Sequence, residues 1–341
     1  MSSYTKNLNL LKKDPVTDGS ETFNIKTMMN DNWDKIDEKI GDISDNVKKI
    51  ELQMANTYSE LMVTTNPGVS VTASLNGKIV NAVADSSGLA ILKLSGFGTW
   101  TISATINGES ISIDLEIKGI AQYSIALSTD LETASWSVID AVSKSGKASS
   151  LWSVGDKKTV NIEGKDYQVQ IIGFNHDMKT DGEKAGITFQ MVDCLDYTFQ
   201  MNPQSSTNGG WRSCMARTSN MKIIFNKLPY GLQKAIKNVK KLTSSGGSTP
   251  QIYTTIDNLF FLSEIEIFGS VTNSLSGEGS QYAYYQAGNS RIKKVNESES
   301  KWHTRSPSPN QADQFCVVEI NGNTNTSFAS YKQGASIAFC V

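Results

Sequence analysis

Between Met29 and Met54 apolar residues recur at Met29, Trp33, Ile36, Ile40, Ile43, Val47, Ile50 and Met54, in steps that alternate four, three, four, three, with Leu52 alone off the repeat. That 3.5-residue repeat is the seam of a coiled coil, with two positions per heptad facing a partner helix. Trp33, Ile40, Val47 and Met54 take position a; Met29, Ile36, Ile43 and Ile50 take position d. Isoleucine at both positions crowds a two-stranded core and shifts preference to three or four strands, so the eight residues are expected to form the core of a parallel homotrimer. A single amphipathic helix lying on its own domain competes with this reading, but usually carries a wider apolar face. The outward positions are mostly charged, among them Asp31, Lys35, Glu38, Asp45 and Lys49. The seam weakens at Thr57.

A chain of 341 residues is long enough for two or three domains. Its net charge of −2 gives no broad basic field, which argues against nucleic acid as the main partner. Met1 to Asp14 is polar, unlike a signal peptide, and no apolar run approaches the ~20 residues that span a bilayer. Synthesis in a bacterial cytoplasm without membrane insertion is therefore expected. Cys194, Cys214, Cys316 and Cys340 are too scattered for a disulfide framework or a metal site, so buried free thiols are expected.

Residues 1–24 carry only a short apolar cluster, Leu8, Leu10 and Leu11, and must dock on something to become ordered. Tyr4-Thr5-Lys6-Asn7-Leu8-Asn9-Leu10, Asp14-Pro15 and Asn30-Asp31-Asn32-Trp33-Asp34-Lys35-Ile36-Asp37 resemble the N-terminal segment of tail fibre and baseplate proteins of phages that infect Gram-positive bacteria. The resemblance implies that 1–24 attaches the chain to baseplate proteins of a particle, followed by a trimerisation helix over 25–62. From 63 to 118 the period changes to two. Val69, Val71, Ala73 and Leu75 lead to the tight turn Asn76-Gly77, and Trp100, Ile102, Ala104 and Ile106 lead to Asn107-Gly108 and then Ile111, Ile113, Leu115 and Ile117. One-sided alternation with short turns predicts a small antiparallel β-sandwich. It resembles immunoglobulin-like and carboxypeptidase-regulatory-like spacers.

The remainder, 119–341, is mixed in character. Strands are expected at 159–162, 167–174, 187–192, 315–320 and 337–341, and a helix over 228–242 with Lys234, Lys237, Lys240 and Lys241 facing water. Residues 271–310, rich in Ser, Gly, Asn and aromatics, read as surface loops on a scaffold. No H-E-x-x-H, G-x-S-x-G or P-loop pattern occurs, and Ser298 and Lys301 match S-x-x-K by spacing alone. His176, one of two histidines, sits in a loop beside Asp177. Asp193, Asp196, Asp313 and Glu319 lack calcium-ligand spacing. No metal, cofactor or catalytic residue is expected. Aromatics beside amides and guanidinium groups suit a binding surface, because rings cover apolar faces at low entropy cost and amides meet hydroxyls. The candidate receptor surface is Tyr282, Tyr284, Tyr285, Gln286, Asn289, Arg291, Trp302, His303, Arg305 and Asn325.

Leu151-Trp152-Ser153-Val154-Gly155-Asp156, Ile171-Ile172-Gly173-Phe174-Asn175-His176-Asp177, Gly209-Gly210-Trp211-Arg212-Ser213-Cys214, Leu262-Ser263-Glu264, Arg305-Ser306-Pro307 and Gly334-Ala335-Ser336-Ile337-Ala338-Phe339-Cys340-Val341 resemble bacterial and phage domains of the C-type lectin-like, formylglycine-generating-enzyme-like fold. In related phage receptor-binding proteins that fold displays variable loops near its C-terminus, which implies a contact region over about 282–325. Neither Glu-Pro-Asn nor Trp-Asn-Asp occurs, so calcium-mediated sugar binding is not implied. The expectation is a multidomain α+β chain: an N-terminal trimeric coiled coil, a β-sandwich and a C-terminal C-type lectin-like mixed α/β domain. Its expected role is a receptor-binding tail fibre of a phage, or of a tail-like bacteriocin, from a clostridial-type host. It would act at the tail tip of the particle on a bacterial surface protein or glycan. A cell-envelope depolymerase on the same fibre, or a purely structural baseplate protein, are the alternatives.

Overall fold

A computed structural model of the protein describes residues 3–14, 17–20, 22, 24–55, 57–248 and 250–341. Pro15 of the N-terminal motif and the side chain of Met54 at the end of the heptad run lie outside the described set. Two compact units are present: Met1–Leu61 with Lys93–Gly98 and Glu116–Tyr123, and Met62–Leu92 with Thr99–Leu115 and Ser124–Val341.

In the first unit the short strands Ser3–Tyr4 and Leu11–Lys12 pair antiparallel. Asn9, at φ +50°, turns the chain between them. A π-helical turn, Lys26–Asn30, leads into the helix Asp31–Ala55. The early polar residues of that helix serve the chain's own amino end. The Asn32 amide accepts from Leu11 N at 2.9 Å and donates to Leu11 O at 3.2 Å, while Lys35 Nζ donates to Asn9 O at 2.9 Å and lies over the Tyr4 ring.

The expected fold class does not hold. Strand accounts for 36% of the chain and helix for 21%, spread over several small sheets, so the protein is mainly β with short helices rather than an α+β chain built on a trimeric coiled coil. Asp31–Ala55 is a single helix with no second helix along its stripe among the described residues. Trp33, Ile40, Ile43, Val47 and Ile50 are exposed, as is Met29 in the turn before it; Ile36 is half-buried. The 3.5 spacing therefore encodes a helix but does not by itself supply the partner that would bury its seam.

A four-stranded antiparallel sheet runs in the order Lys78–Val83, Ser70–Leu75, Gly98–Ile106, Glu109–Ile117. Its register puts Val71 opposite Ala104 and Ala73 opposite Ile102, all buried, while Thr72 and Ser74 point the other way. Both Asn-Gly pairs make the turns they were expected to make, each with positive φ at both residues, as a type I′ hairpin requires. A three-stranded sheet has the order Leu89–Leu94, Ser59–Thr64, Gln122–Ala126.

From 124 onwards four sheets, one of them the two-stranded pair Lys293–Val295 and Ser298–Ser300, and short helices enclose an aromatic interior. The first sheet orders Lys157–Ile162, Lys165–Phe174, Ile187–Met191 and Ala338–Cys340, matching the strands expected there within a few residues. Phe189 and Phe339 stack across it at 5.4 Å, and Trp136 meets both edge-on. The second sheet, Met178–Lys179, Val239–Ser244, Ile252–Asp257, takes the C-terminal end of the helix expected over 228–242. Helix survives only as Tyr230–Ala235, because Val239–Ser244 pairs residue for residue with Ile252–Asp257. Alternation in that pairing turns Lys240 outward and Lys241 inward, where it is 2% exposed.

The third sheet, Trp302–Pro307, Gln314–Val318, Thr324–Phe328, overturns the reading of 271–310 as surface loop throughout. Every residue of Trp302–Pro307 is buried. Glu264 anchors the neighbouring loop: its carboxylate accepts from the backbone of Thr272, Asn273 and Ser274 and from the hydroxyls of Ser274 and Thr324. All four cysteines are buried free thiols.

Candidate functional site

Five of the ten residues assigned to a receptor surface lie in the interior. Tyr282, Tyr285, Trp302, His303 and Arg305 are each at most 1% exposed. Each has a polar tip with a partner inside, which is how aromatic and charged side chains become tolerable in a core. Tyr285 OH donates to Gln190 Oε1 at 2.7 Å, Trp302 Nε1 to Arg291 O at 2.9 Å, and His303 Nε2 meets Phe199 O at 2.7 Å. Gln286, Asn289 and Asn325 are exposed, and Tyr284 and Arg291 half-buried. Asn289 holds Tyr284 O, Asn325 holds Glu319 and the Arg291 guanidinium covers the Phe268 ring, so these five are spread along local turns and one edge strand rather than gathered into one concave site.

What the fold does bring together is a buried network centred on Lys241, from the middle strand of the second sheet. Its ammonium is 2.6 Å from Asp177 Oδ1, 2.7 Å from Glu266 Oε1 and 3.0 Å from Tyr282 OH, and it lies 4.3 Å from the Phe260 ring centroid. Asp177 also accepts from Thr188 Oγ1 at 2.7 Å and from Tyr282 OH at 2.8 Å. Glu266 is gripped from the far side by both terminal nitrogens of Arg305. Arg305 then uses its remaining donors on the carbonyls of Leu242, Phe261 and Glu278.

Burial alone would push both carboxyls up, but Lys241 beside Asp177, and Arg305 with Lys241 beside Glu266, hold them well below the usual carboxylate range. Burial would likewise strip the proton from Lys241; Asp177 and Glu266 outweigh it and raise its affinity for that proton. All the charges in this network are thus fixed and mutually matched.

Glu266 is positioned by a capping box at the helix Glu264–Phe268. Ser263 Oγ accepts from Glu266 N while Glu266 Oε2 accepts from Ser263 N at 3.0 Å. The S-x-x-E spacing of Ser263 and Glu266 is a capping-box signature that the sequence reading did not use. Ser263→Ala is expected to lower stability by about 1–2 kcal/mol, read as a fall in the urea midpoint; an unchanged midpoint would deny the cap its role.

Over this network opens a pocket of about 300 Å³. Asp177, Lys241 and Glu266 form its floor, with His176, Met178, Lys240, Leu242, Thr254, Gly279 and Ser280 as walls. Met178 and Leu242 are exposed beside Lys240 on the outer face of the second sheet. His176 stacks on Tyr282 at 4.0 Å between centroids, and burial lowers its proton affinity, so the imidazole is neutral at pH 7. Gly279, at φ +121°, lets the wall approach the floor: a Cβ there would lie 2.9 Å from Glu266 Oε1. The pocket combines an ionic floor, two apolar side chains and several polar groups at the mouth.

Sequence reasoning missed this site. Its strands come from distant stretches, and Lys241 was assigned to the solvent face of a helix. His176 and Asp177 stood out as a loop pair, and Tyr282 and Arg305 as surface candidates, but nothing in the sequence joined them.

Residues 186–341 match a family described as Domain of unknown function (DUF6273). Comparison with curated proteins finds no match. Among solved structures, a type II cohesin–X-dockerin complex from Acetivibrio cellulolyticus, carrying a C-terminal interface mutation, aligns over 20% of this chain at 20% identity and a TM-score of 0.17. This chain spans about half of that relative, 51%. A fimbrial protein from Bacteroides ovatus aligns over 84% of this chain and 71% of its own at 8% identity, with a TM-score of 0.25.

Proposed function

We propose that this chain is the receptor-binding component of a phage tail or tail-like bacteriocin, and that its C-terminal part attaches the particle to the surface of a target bacterium. The attribution to a tail particle rests on the motifs at 4–10 and 30–37. The binding role rests on one observation: the pocket at 176–280 has a floor whose cations and carboxylates are bonded to one another, under walls that mix exposed apolar and polar groups. Such a floor holds its shape and offers a ligand fixed walls, which lowers the ordering cost of binding. Neither floor carboxyl is the protonated donor that an envelope hydrolase would want, since both are held in the ionised form, and Glu278, the neighbouring carboxyl whose proton affinity burial raises, is not part of the pocket lining.

The test is the fluorescently labelled full chain incubated with intact Gram-positive cells and read by flow cytometry. Saturable staining that unlabelled protein displaces is expected on susceptible strains. Background staining on every strain tested, with the chain shown to be folded, would contradict the attachment reading.

A further inference from the structure

The pocket also carries information about its ligand, provided the attachment reading holds. Its floor has no capacity left. Asp177 accepts from Lys241, Thr188 and Tyr282; Glu266 accepts from Lys241, Arg305 and Ser263; and the Lys241 ammonium has three oxygen neighbours. The groups still able to bind lie at the mouth. Lys240 is exposed and makes no ion pair among the described residues, whereas nearby Lys179 is claimed by Asp181 and Glu183. Thr254 and Ser280 are exposed hydroxyl carriers on the same lining, and Met178 and Leu242 supply apolar contact beside them. Strand pairing fixes the arrangement, since Met178 is opposite Lys240 and Leu242 opposite Thr254.

One unmatched ammonium, two hydroxyls and two apolar side chains around a concavity of about 300 Å³ suit a compact unit with an acidic group, several hydroxyls and a short carbon face. We propose that this pocket binds one anionic repeat of a cell-envelope polymer, a phosphate or carboxylate carried on a polyol or sugar, with Lys240 on the acidic group. The paired floor disfavours a deeper second charge, because any ion pushed onto it would have to displace an existing partner. Recognition is therefore shallow and limited to a single repeat, and the charge contact at the mouth is screened by salt.

Three probes separate the possibilities in titration calorimetry on the full chain: a glycerol-phosphate oligomer, an oligogalacturonate and a neutral chitooligosaccharide. At least one acidic probe is expected to bind about tenfold more tightly than the neutral one, to weaken as salt rises from 50 to 500 mM, and to lose about tenfold in affinity with Lys240→Glu. Binding of the phosphate probe alone points to a polyol phosphate, and of the carboxylate probe alone to a uronic acid. Because Lys240 is exposed, the variant should melt like the parent; Lys240→Met, which removes charge without reversing it, should fall between the two. Equal affinity for neutral and acidic probes, no binding of either acidic probe, or an unmoved affinity in Lys240→Glu would overturn the assignment. The same variant on cells keeps the two readings apart. Cell staining unaffected by Lys240→Glu removes this ligand class and leaves attachment standing, while a parent chain that stains no cells removes attachment itself.

Discussion

Arg305→Ala is expected to destabilise the C-terminal part by about 3–5 kcal/mol, a range typical of removing one partner from a buried ion pair. The guanidinium is fully buried, pairs with Glu266 through two nitrogens and donates to three backbone carbonyls. Truncation would leave a buried carboxylate short of its main counter-charge and would take a donor from three carbonyls, of which that of Glu278 still accepts from Ser263 Oγ. Lys would not substitute well, since its point charge cannot reproduce the fork that reaches Glu266 and the carbonyls together. Chemical denaturation followed by tryptophan fluorescence should show a large drop in midpoint. A variant that kept the parent midpoint and lost only cell binding would return Arg305 to the contact surface where its sequence neighbourhood first placed it.

The second large effect is on acid stability, through His303. Burial pushes its proton affinity down to about 4 from an ordinary value near 6.5. Nε2 is engaged with Phe199 O, and Nδ1 has no partner among the described residues, so an added proton would place an unpaired donor in the interior. The unfolded chain takes up that proton at ordinary pH values and the folded chain resists it, so the unfolded state binds more protons between about pH 6.5 and 4. Stability is then full above 6.5 and is lost as pH falls through that window, by about 3 kcal/mol in total. His176, lowered for the same reason, acts in the same direction. Denaturation midpoints measured from pH 7 to 4.5 should fall, and His303→Gln should flatten the slope. An equally steep fall in that variant would assign the loss to other groups.

Much of the strand pattern was readable because period-two alternation and Asn-Gly turns are local signals. Residues 69–117 and the strands at 157–174, 187–191 and 314–318 emerged near their expected places. The errors share a physical origin in partners that are distant in sequence. The apolar spacing over 228–242 fits a helix face, but the strand Ile252–Asp257 captures 239–244, and the lysine that looked solvated meets Asp177, which lies 64 residues away in the chain. The aromatic, Ser-rich stretch from 282 to 308 looked exposed from its composition. The polar tips that allow its rings inside are satisfied by Gln190, Phe199 and Asp177, none of them nearby in the chain. The heptad run specified a helix, and most of its seam residues are exposed on that single helix.

The most direct test of the attachment role is competition for adsorption. Susceptible cells are preincubated with the purified full chain, the particles that carry it are then added, and unadsorbed particles are counted. The account predicts that the free count rises with protein concentration towards that of a non-susceptible strain. Adsorption that stays complete at saturating, folded protein would contradict it.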